Sequence, residues 1–309
     1  MKLPMIMAFA IGLVAGSACT DARAQTPGFE VAITVDDLPA HGDLPPGVTR
    51  EKVAADFLAA LKAANVPEAY GFINGVYVAQ DTSTYKTLQM WRDAGYPLGN
   101  HGFSHMNIND VGLAAFEGDI AGNEELLTSL MAGEDWHYLR FPFLAAGTDP
   151  TLHAGIMAYL KDHGYKIADV SINFNDWAYT DTYARCMVKG DQAAIEKMKL
   201  QYMAGVKASI AVARYGSQKV YGREIAHVLL LHEGAFTALM LPQVIREFEA
   251  EGARFVTLGH AERDAAYADD EDHAGDGIVI ERKAREKGID IVNGAPTLGD
   301  ISNLFELCQ

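Results

Sequence analysis

Two histidines stand at i and i+4 in Asn100-His101-Gly102-Phe103-Ser104-His105. On a helical turn that spacing brings both imidazoles to one side, where they could share a divalent cation. Either could equally be a hydrogen-bonded core histidine, and the pair alone leaves both readings open. Asp36-Asp37 follows the apolar run Glu30–Val35. Strand geometry points adjacent side chains to opposite faces. One carboxylate could then complete a metal site with the two histidines, while the other faces a substrate as general base. A turn or a helix cap is the plainer use of such a pair, and Pro39 suits a turn as well. His232 closes the apolar run Leu229-Leu230-Leu231. An imidazole titrates ordinarily near about 6.5, which suits a general acid at neutral pH, although a strand-end histidine can also be structural. Leu230 shares the His232 side by the period of two and could line a small apolar pocket. No His-Glu-x-x-His run occurs, which argues against a zincin protease.

Residues this far apart need elements that bring them together. Seven apolar runs read as strands: Glu30–Val35, Tyr70–Ile73, Tyr96–Gly99, Trp136–Leu139, Lys166–Val170, Ala226–Leu231 and Arg254–Leu258. Helical patterns fall between them at about Arg50–Ala64 with Thr49 as cap, Ser83–Ala94, Leu113–Leu130, Pro150–His163, Gln192–Ala213 and Pro242–Glu251. The alternation predicts βα units and a parallel sheet, an α/β fold. Asp36-Asp37, His101, Arg140, Asp176 and His232 each fall at the C-terminal end of a predicted strand or in the loop leaving it. In a parallel barrel those ends form one face, and active sites gather there.

Composition narrows the partners. The chain has 309 residues, 25 Lys+Arg against 41 Asp+Glu, and a formal charge of −16. That balance argues against nucleic acid and against an anionic membrane surface. No obligate protein partner is implied. Lys2, the apolar Met5–Gly16 and Ala22-Arg23-Ala24 read as a signal peptide over residues 1–24, cut before Gln25. The apolar stretch is too short for a transmembrane helix, and no other segment reaches the ~20 residues a span needs. The expectation is an exported protein, periplasmic or extracellular. Gly16-Ser17-Ala18 before Cys19 leaves a lipoprotein as the alternative. Export would leave Cys186 and Cys308 in an oxidising compartment, where they either pair or stay as two free thiols. The acidic stretch Ala268–Gly277 reads as a solvated loop.

The order Asp36-Asp37, His101-x-x-x-His105, Arg140-Phe141-Pro142-Phe143, Asp176-Trp177 and Leu230-Leu231-His232 resembles the polysaccharide deacetylases with a NodB-like domain, carbohydrate esterase family four. The resemblance runs from about Val31 to Leu258. It implies an irregular (β/α) barrel of about seven parallel strands, over residues 25–260, with 261–309 as a C-terminal extension packed on it. It implies Asp36 as general base, with Asp37, His101 and His105 as ligands of one divalent ion: zinc first, with cobalt, nickel or manganese as alternatives. Arg140 would orient Asp36, and Asp176 would orient His232, the general acid. Trp177 and Leu230 would wall the acetyl pocket, and the Phe143 backbone N–H would hold the oxyanion. The implied activity is metal-dependent hydrolysis of N-acetyl groups on an amino-sugar glycan of peptidoglycan or chitin type, releasing acetate. An O-acetyl esterase of xylan type, a small-molecule amidase and a non-catalytic carbohydrate-binding protein are the alternatives.

The chain departs from the family pattern at several positions. Gly102 stands where Thr or Ser is usual, Phe143 where Tyr is usual, and Glu233 where Asp usually follows the histidine. The loop Leu38–Asp43 (LPAHGD) lacks the common Gly-Pro continuation, and its His41 has no assigned role. The stretch from Trp177 to Gly222 is long enough to form a lid or a substrate wall.

Overall fold

The longest strand, β1 (Phe29–Leu38), is buried along almost its whole length. The computed structural model that shows it describes residues 28–268 and 275–309, together with Met1. Three strands pair with β1, all parallel. β7 (Ala253–Val256) takes Phe29–Ala32, and β2 (Ala69–Ile73) takes Ile33–Leu38. β6 (His227–His232) spans Val31–Asp36. Its register overlaps both others, so β6 occupies one edge of β1 while β7 and β2 share the opposite edge in succession. From β2 the sheet continues through β3 (Leu98–Asn100), β4 (Tyr138–Leu139) and β5 (Lys166–Ile167).

Just beyond β5, Ile172 bridges Leu229 of β6 in parallel, and Leu230 N–H donates to its carbonyl at 3.0 Å. The chain leaving one edge of the sheet thus reaches the other, and the sheet curls into an irregular (β/α) barrel. All seven predicted strands form. Helices cover the outer face, so the central strands β2 and β6 are buried on both sides and read as continuous apolar runs rather than alternating ones.

The helices differ more from expectation. The pattern over Leu113–Leu130 is two helices, Leu113–Ala121 and Glu124–Met131, separated at Gly122-Asn123. The helix predicted to begin at Pro242 begins at Ala235 and carries Pro242 inside it. A proline costs the least at a helix start, and that preference misplaced the boundary. The stretch from Trp177 to Gly222, expected as a lid or a substrate wall, is largely helical, and Trp177 at its start lines the cavity described below. It folds as a short 3-10 turn, Asp176–Tyr179, and two helices, Thr180–Lys189 and Gln192–Tyr221, which pack on the helix Ala235–Ala250.

The last segment returns to the body. Helix Val279–Lys287 packs on Gln192–Tyr221, with Val279 N–H donating to Val170 O at 2.9 Å and Arg282 paired to Asp169 at 2.6 Å. Cys308 is disulfide-bonded to Cys186, with the two Cα atoms 5.1 Å apart. The predicted signal peptide with Cys19, and most of the acidic stretch 268–277, lie outside the described residues. Among the described residues no helix is long and apolar enough to cross a membrane.

Candidate active site

The C-terminal ends of β1, β3 and β6 open into a cavity of about 420 Å³. Asp36, Asp37, His101, His105, Phe143, Trp177, Leu230 and His232 all line it, and Arg140 and Asp176 stand directly behind Asp36 and His232. The residues read from the sequence therefore converge. His41, Leu144, Asn173 and Asn175 complete the wall.

Asp36 is buried at the last paired position of β1 with β6. Arg140, one residue past β4, reaches both its oxygens with Nη1, at 3.2 and 3.3 Å. Arg140 is itself immobilised: Nε donates to Ala168 O at 2.6 Å, Nη2 to Thr34 Oγ1 at 2.9 Å, and its guanidinium lies over the Phe72 ring. A buried charge pair of this kind holds its place only when the remaining donors are satisfied, as they are here.

Asp37 breaks the expected alternation. Its φ is +62°, in the left-handed region, and the β1–β2 register shifts between Val35 and Leu38. That bulge turns the Asp37 carboxylate into the same cavity as Asp36 instead of to the opposite face. Asp37 Oδ2 accepts from His41 Nδ1 at 2.8 Å. Asp37 Oδ1 is buried with no hydrogen-bond partner, 3.5 Å from His101 Nε2 and 3.4 Å from His105 Nε2. Burial alone would raise this carboxyl, but the hydrogen bond from His41 and the charge of the surrounding imidazoles hold it well below the usual carboxylate range.

The two histidines do not sit on a helical turn. His101 follows β3, and the loop to His105 passes through left-handed Gly102 (φ +71°) and His105 (φ +58°). His101 Nδ1–H donates to Arg140 O at 2.8 Å, which leaves the Nε2 lone pair facing Asp37. His105 is held down to about 4, by burial first and then by the charge of His101, so it is neutral at neutral pH. An orphaned buried carboxylate oxygen facing two imidazole nitrogens that can both present lone pairs is a donor set suited to a divalent metal.

A network of amides holds this loop. Asn74 Nδ2 donates to the carbonyls of His101 and Gly102, and Asn100 Oδ1 accepts from Gly102 N–H and Asn123 Nδ2. Asp119 accepts from Ser104 N–H and Oγ. A Cβ at position 102 would come within 2.6 Å of Asp119 Oδ2. Glycine here is therefore a fit to Asp119 and to the positive φ. Asn74, Asn123 and Asp119 escaped the sequence reading because nothing in their own neighbourhoods marks them.

The opposite wall carries His232. Asp176 accepts from its Nδ1 at 2.8 Å and its backbone N–H at 2.8 Å, and from Thr237 Oγ1 at 2.9 Å. Nε2 is left as the ring nitrogen available to the cavity. Burial pulls His232 down, but Asp176 outweighs it and the group is raised to about 9. The next residue, Glu233, is buried and does not line the cavity. It accepts from Trp91 Nε1 at 2.8 Å, and burial raises it to about 8. Phe143 sits at φ +61° with its side chain 61% exposed and its ring edge-on to His105.

His41 is a titratable cavity residue without a role in the sequence pattern. Besides Asp37, it faces Trp177 O through Nε2 at 3.2 Å, and its ring centroid lies 4.9 Å from that of His232. Its only sequence signal is its place four residues after Asp37, in the loop that departs from the common pattern.

Residues 23–168 match the family described as Polysaccharide deacetylase. No curated protein matches the chain. Among solved structures, a polysaccharide deacetylase from Bacillus cereus is 17% identical with a TM-score of 0.52, covering 74% of this chain and 91% of that one. A CE4 family pseudoenzyme from Bacillus anthracis is 13% identical with a TM-score of 0.52, covering 76% of this chain and 66% of that one. A mutant of a CE4 family pseudoenzyme with restored enzymatic activity is 14% identical with the same TM-score, covering 76% and 68%. At these identities the structures establish the fold.

Proposed function

We propose that this chain, whose residues 23–168 match the polysaccharide deacetylase family, is a metal-dependent hydrolase that removes N-acetyl groups from an amino-sugar glycan of the peptidoglycan or chitin type. One observation carries this reading: a buttressed carboxylate, Asp36–Arg140, and a buttressed imidazole, His232–Asp176, share one cavity with the Asp37–His101–His105 donor set. One fold neighbour is a pseudoenzyme, so fold alone does not imply turnover. It is the side chains that favour catalysis.

Asp37, His101 and His105 would hold the ion, for which two imidazoles and a carboxylate suit zinc and also cobalt, nickel or manganese. Such an ion supplies Lewis acidity for the acyl oxygen and acidifies the attacking water. Asp36, its carboxylate fixed by Arg140, accepts the proton from that water. The Phe143 N–H donates to the developing oxyanion. His232 donates a proton from Nε2 to the leaving nitrogen, and Asp176 stabilises the imidazolium until it does. Leu230 and Trp177 wall the space for the acetyl methyl. The proposed setting is outside the cytoplasm, following the leader-like N-terminus.

Acetate release from peptidoglycan, chitin oligomers and acetylated xylan tests the reading, with chelator-treated protein before and after adding back zinc. Release from the amino-sugar polymers only in the presence of metal is expected. Preferential release from xylan moves the substrate to O-acetyl esters. No release from any of them, or full activity in both Asp36→Asn and His232→Ala, overturns the mechanism.

A further inference from the structure

Two large aromatic side chains stand in water side by side at the rim of the cavity. Trp177 is 41% exposed and Phe305 47%. Their ring centroids lie 6.3 Å apart at an interplanar angle of 40°. Trp177 lines the catalytic cavity, whereas Phe305 belongs to the C-terminal tail.

That tail is built into the body around Phe305. Leu304 is fully buried, and its carbonyl accepts from Thr182 Oγ1 at 3.1 Å. Gln201 Nε2 donates to Asp300 O at 2.8 Å, and Cys308 is bonded to Cys186. Thr182 and Cys186 lie on the helix that directly follows the Trp177 turn, so the anchors of Phe305 and the support of Trp177 are one body. The same C-terminal segment borders the site a second time. A smaller hollow of about 170 Å³ shares Leu144, Asn173 and Asn175 with the catalytic cavity, and Ile278, Glu281 and Leu298 form another part of its wall.

We propose that the C-terminal segment is a glycan-binding element, with Trp177 and Phe305 forming a platform for a sugar ring next to the one whose acetyl group enters the cavity. The inference rests on the glycan reading above. A polymer must leave the cavity across its rim, and the Phe305 ring lies beside Trp177, which lines the cavity. Pyranose rings present C–H groups on their faces, which pack on flat aromatic surfaces, and their hydroxyls stay in water at the edges. Exposed aromatics held rigidly by a buried neighbour and a disulfide lose little conformational freedom on binding, which favours affinity.

Calorimetric titration of the intact zinc-loaded chain with chitopentaose, acetylated xylopentaose and N-acetylglucosamine tests this. Phe305→Ala is expected to weaken binding of the pentamer by about tenfold, to lower the ratio of pentamer to monomer affinity, and to be rescued by Phe305→Tyr. An unchanged pentamer affinity overturns the inference, as does a wild-type chain that binds neither pentamer. An equal loss for pentamer and monomer overturns it too, because that marks a disturbed Asp176 turn rather than a lost platform. Acetate release from the same samples separates the two readings. Binding that depends on Phe305 without any release removes the deacetylase function and keeps the platform; release that ignores Phe305 does the reverse.

Discussion

The two walls of the cavity hold the two proposed proton-transfer groups by different means. Asp36 is fixed inside the sheet: Arg140 follows β4, Thr34 is on β1, and these partners are fully buried. His232 also ends a strand, but Asp176, which orients it, comes from a 3-10 turn entered through left-handed Asn175. That turn leans on the C-terminal tail and on the helix stapled by Cys186–Cys308. The proposed proton acceptor is thus held by the barrel alone, whereas the proposed donor ends a barrel strand and is oriented by segments added around it. Damage should follow the same division, with chemistry lost on the first wall and support lost on the second.

Asp36→Asn should have the largest effect. It keeps the shape but removes the acceptor, and acetate release is expected to fall about 10³-fold. It also leaves the Arg140 charge buried without a counter-ion, so the urea midpoint should drop by the equivalent of about 3 kcal/mol. Cys186→Ser should do the opposite. Opening a bridge across 122 residues is expected to cost about 2–4 kcal/mol of stability, while turnover at low temperature falls far less than in Asp36→Asn. An equal loss of turnover would mean that the tail acts on the chemistry itself.

Asp176→Asn probes the second wall by pH. His232 is raised to about 9 in the folded chain, above its ordinary 6.5. A raised group stabilises the fold fully below 6.5, and that contribution is lost as pH rises through 9. Activity that needs the protonated imidazole should fall along the same limb. Without the Asp176 carboxylate the alkaline limb of kcat should move to lower pH, by at least about one unit. A limb that stays in place would assign it to another group. Glu233, raised to about 8, lowers stability in the same direction as pH increases but does not face the cavity, so it should alter the urea midpoint and not kcat.

The sheet wall was more legible in the sequence than the loops. Strand ends are marked by apolar runs, and the parallel topology fixes which face they share, so Asp36, Arg140 and His232 could be placed from pattern alone. The geometry at Asp37, His105, Phe143 and Asn175 was not legible, because each adopts a positive φ that no neighbouring residue announces. Asp37 was expected to face away from Asp36 and His101 to share a helix with His105; both expectations failed on left-handed residues. The braces of the His101–His105 loop, Asn74, Asn123 and Asp119, and the tail residue Phe305 act across sequence separations of 15 residues or more through a few hydrogen bonds or one ring contact. Periodicity does not record such contacts.

His41 is where the two walls meet, and it gives the smallest predicted effect. Its Nδ1 is 2.8 Å from Asp37 Oδ2, and its Nε2 is 3.2 Å from the carbonyl of Trp177, next to Asp176. Arg50 donates to the carbonyls of His41 and Gly42 and so fixes the loop from below. If His41 serves the carboxylate, its removal frees Asp37 to rotate, and the donor set loses its preset orientation. His41→Ala is then expected to weaken zinc binding about tenfold in competition with a chromophoric chelator, and His41→Gln, which can still donate to Asp37, should recover part of it. If His41 instead serves the far wall, zinc affinity stays as in the wild type and the alkaline limb set by His232 moves. The two readouts assign this residue to the sheet-built side of the cavity or to the appended one.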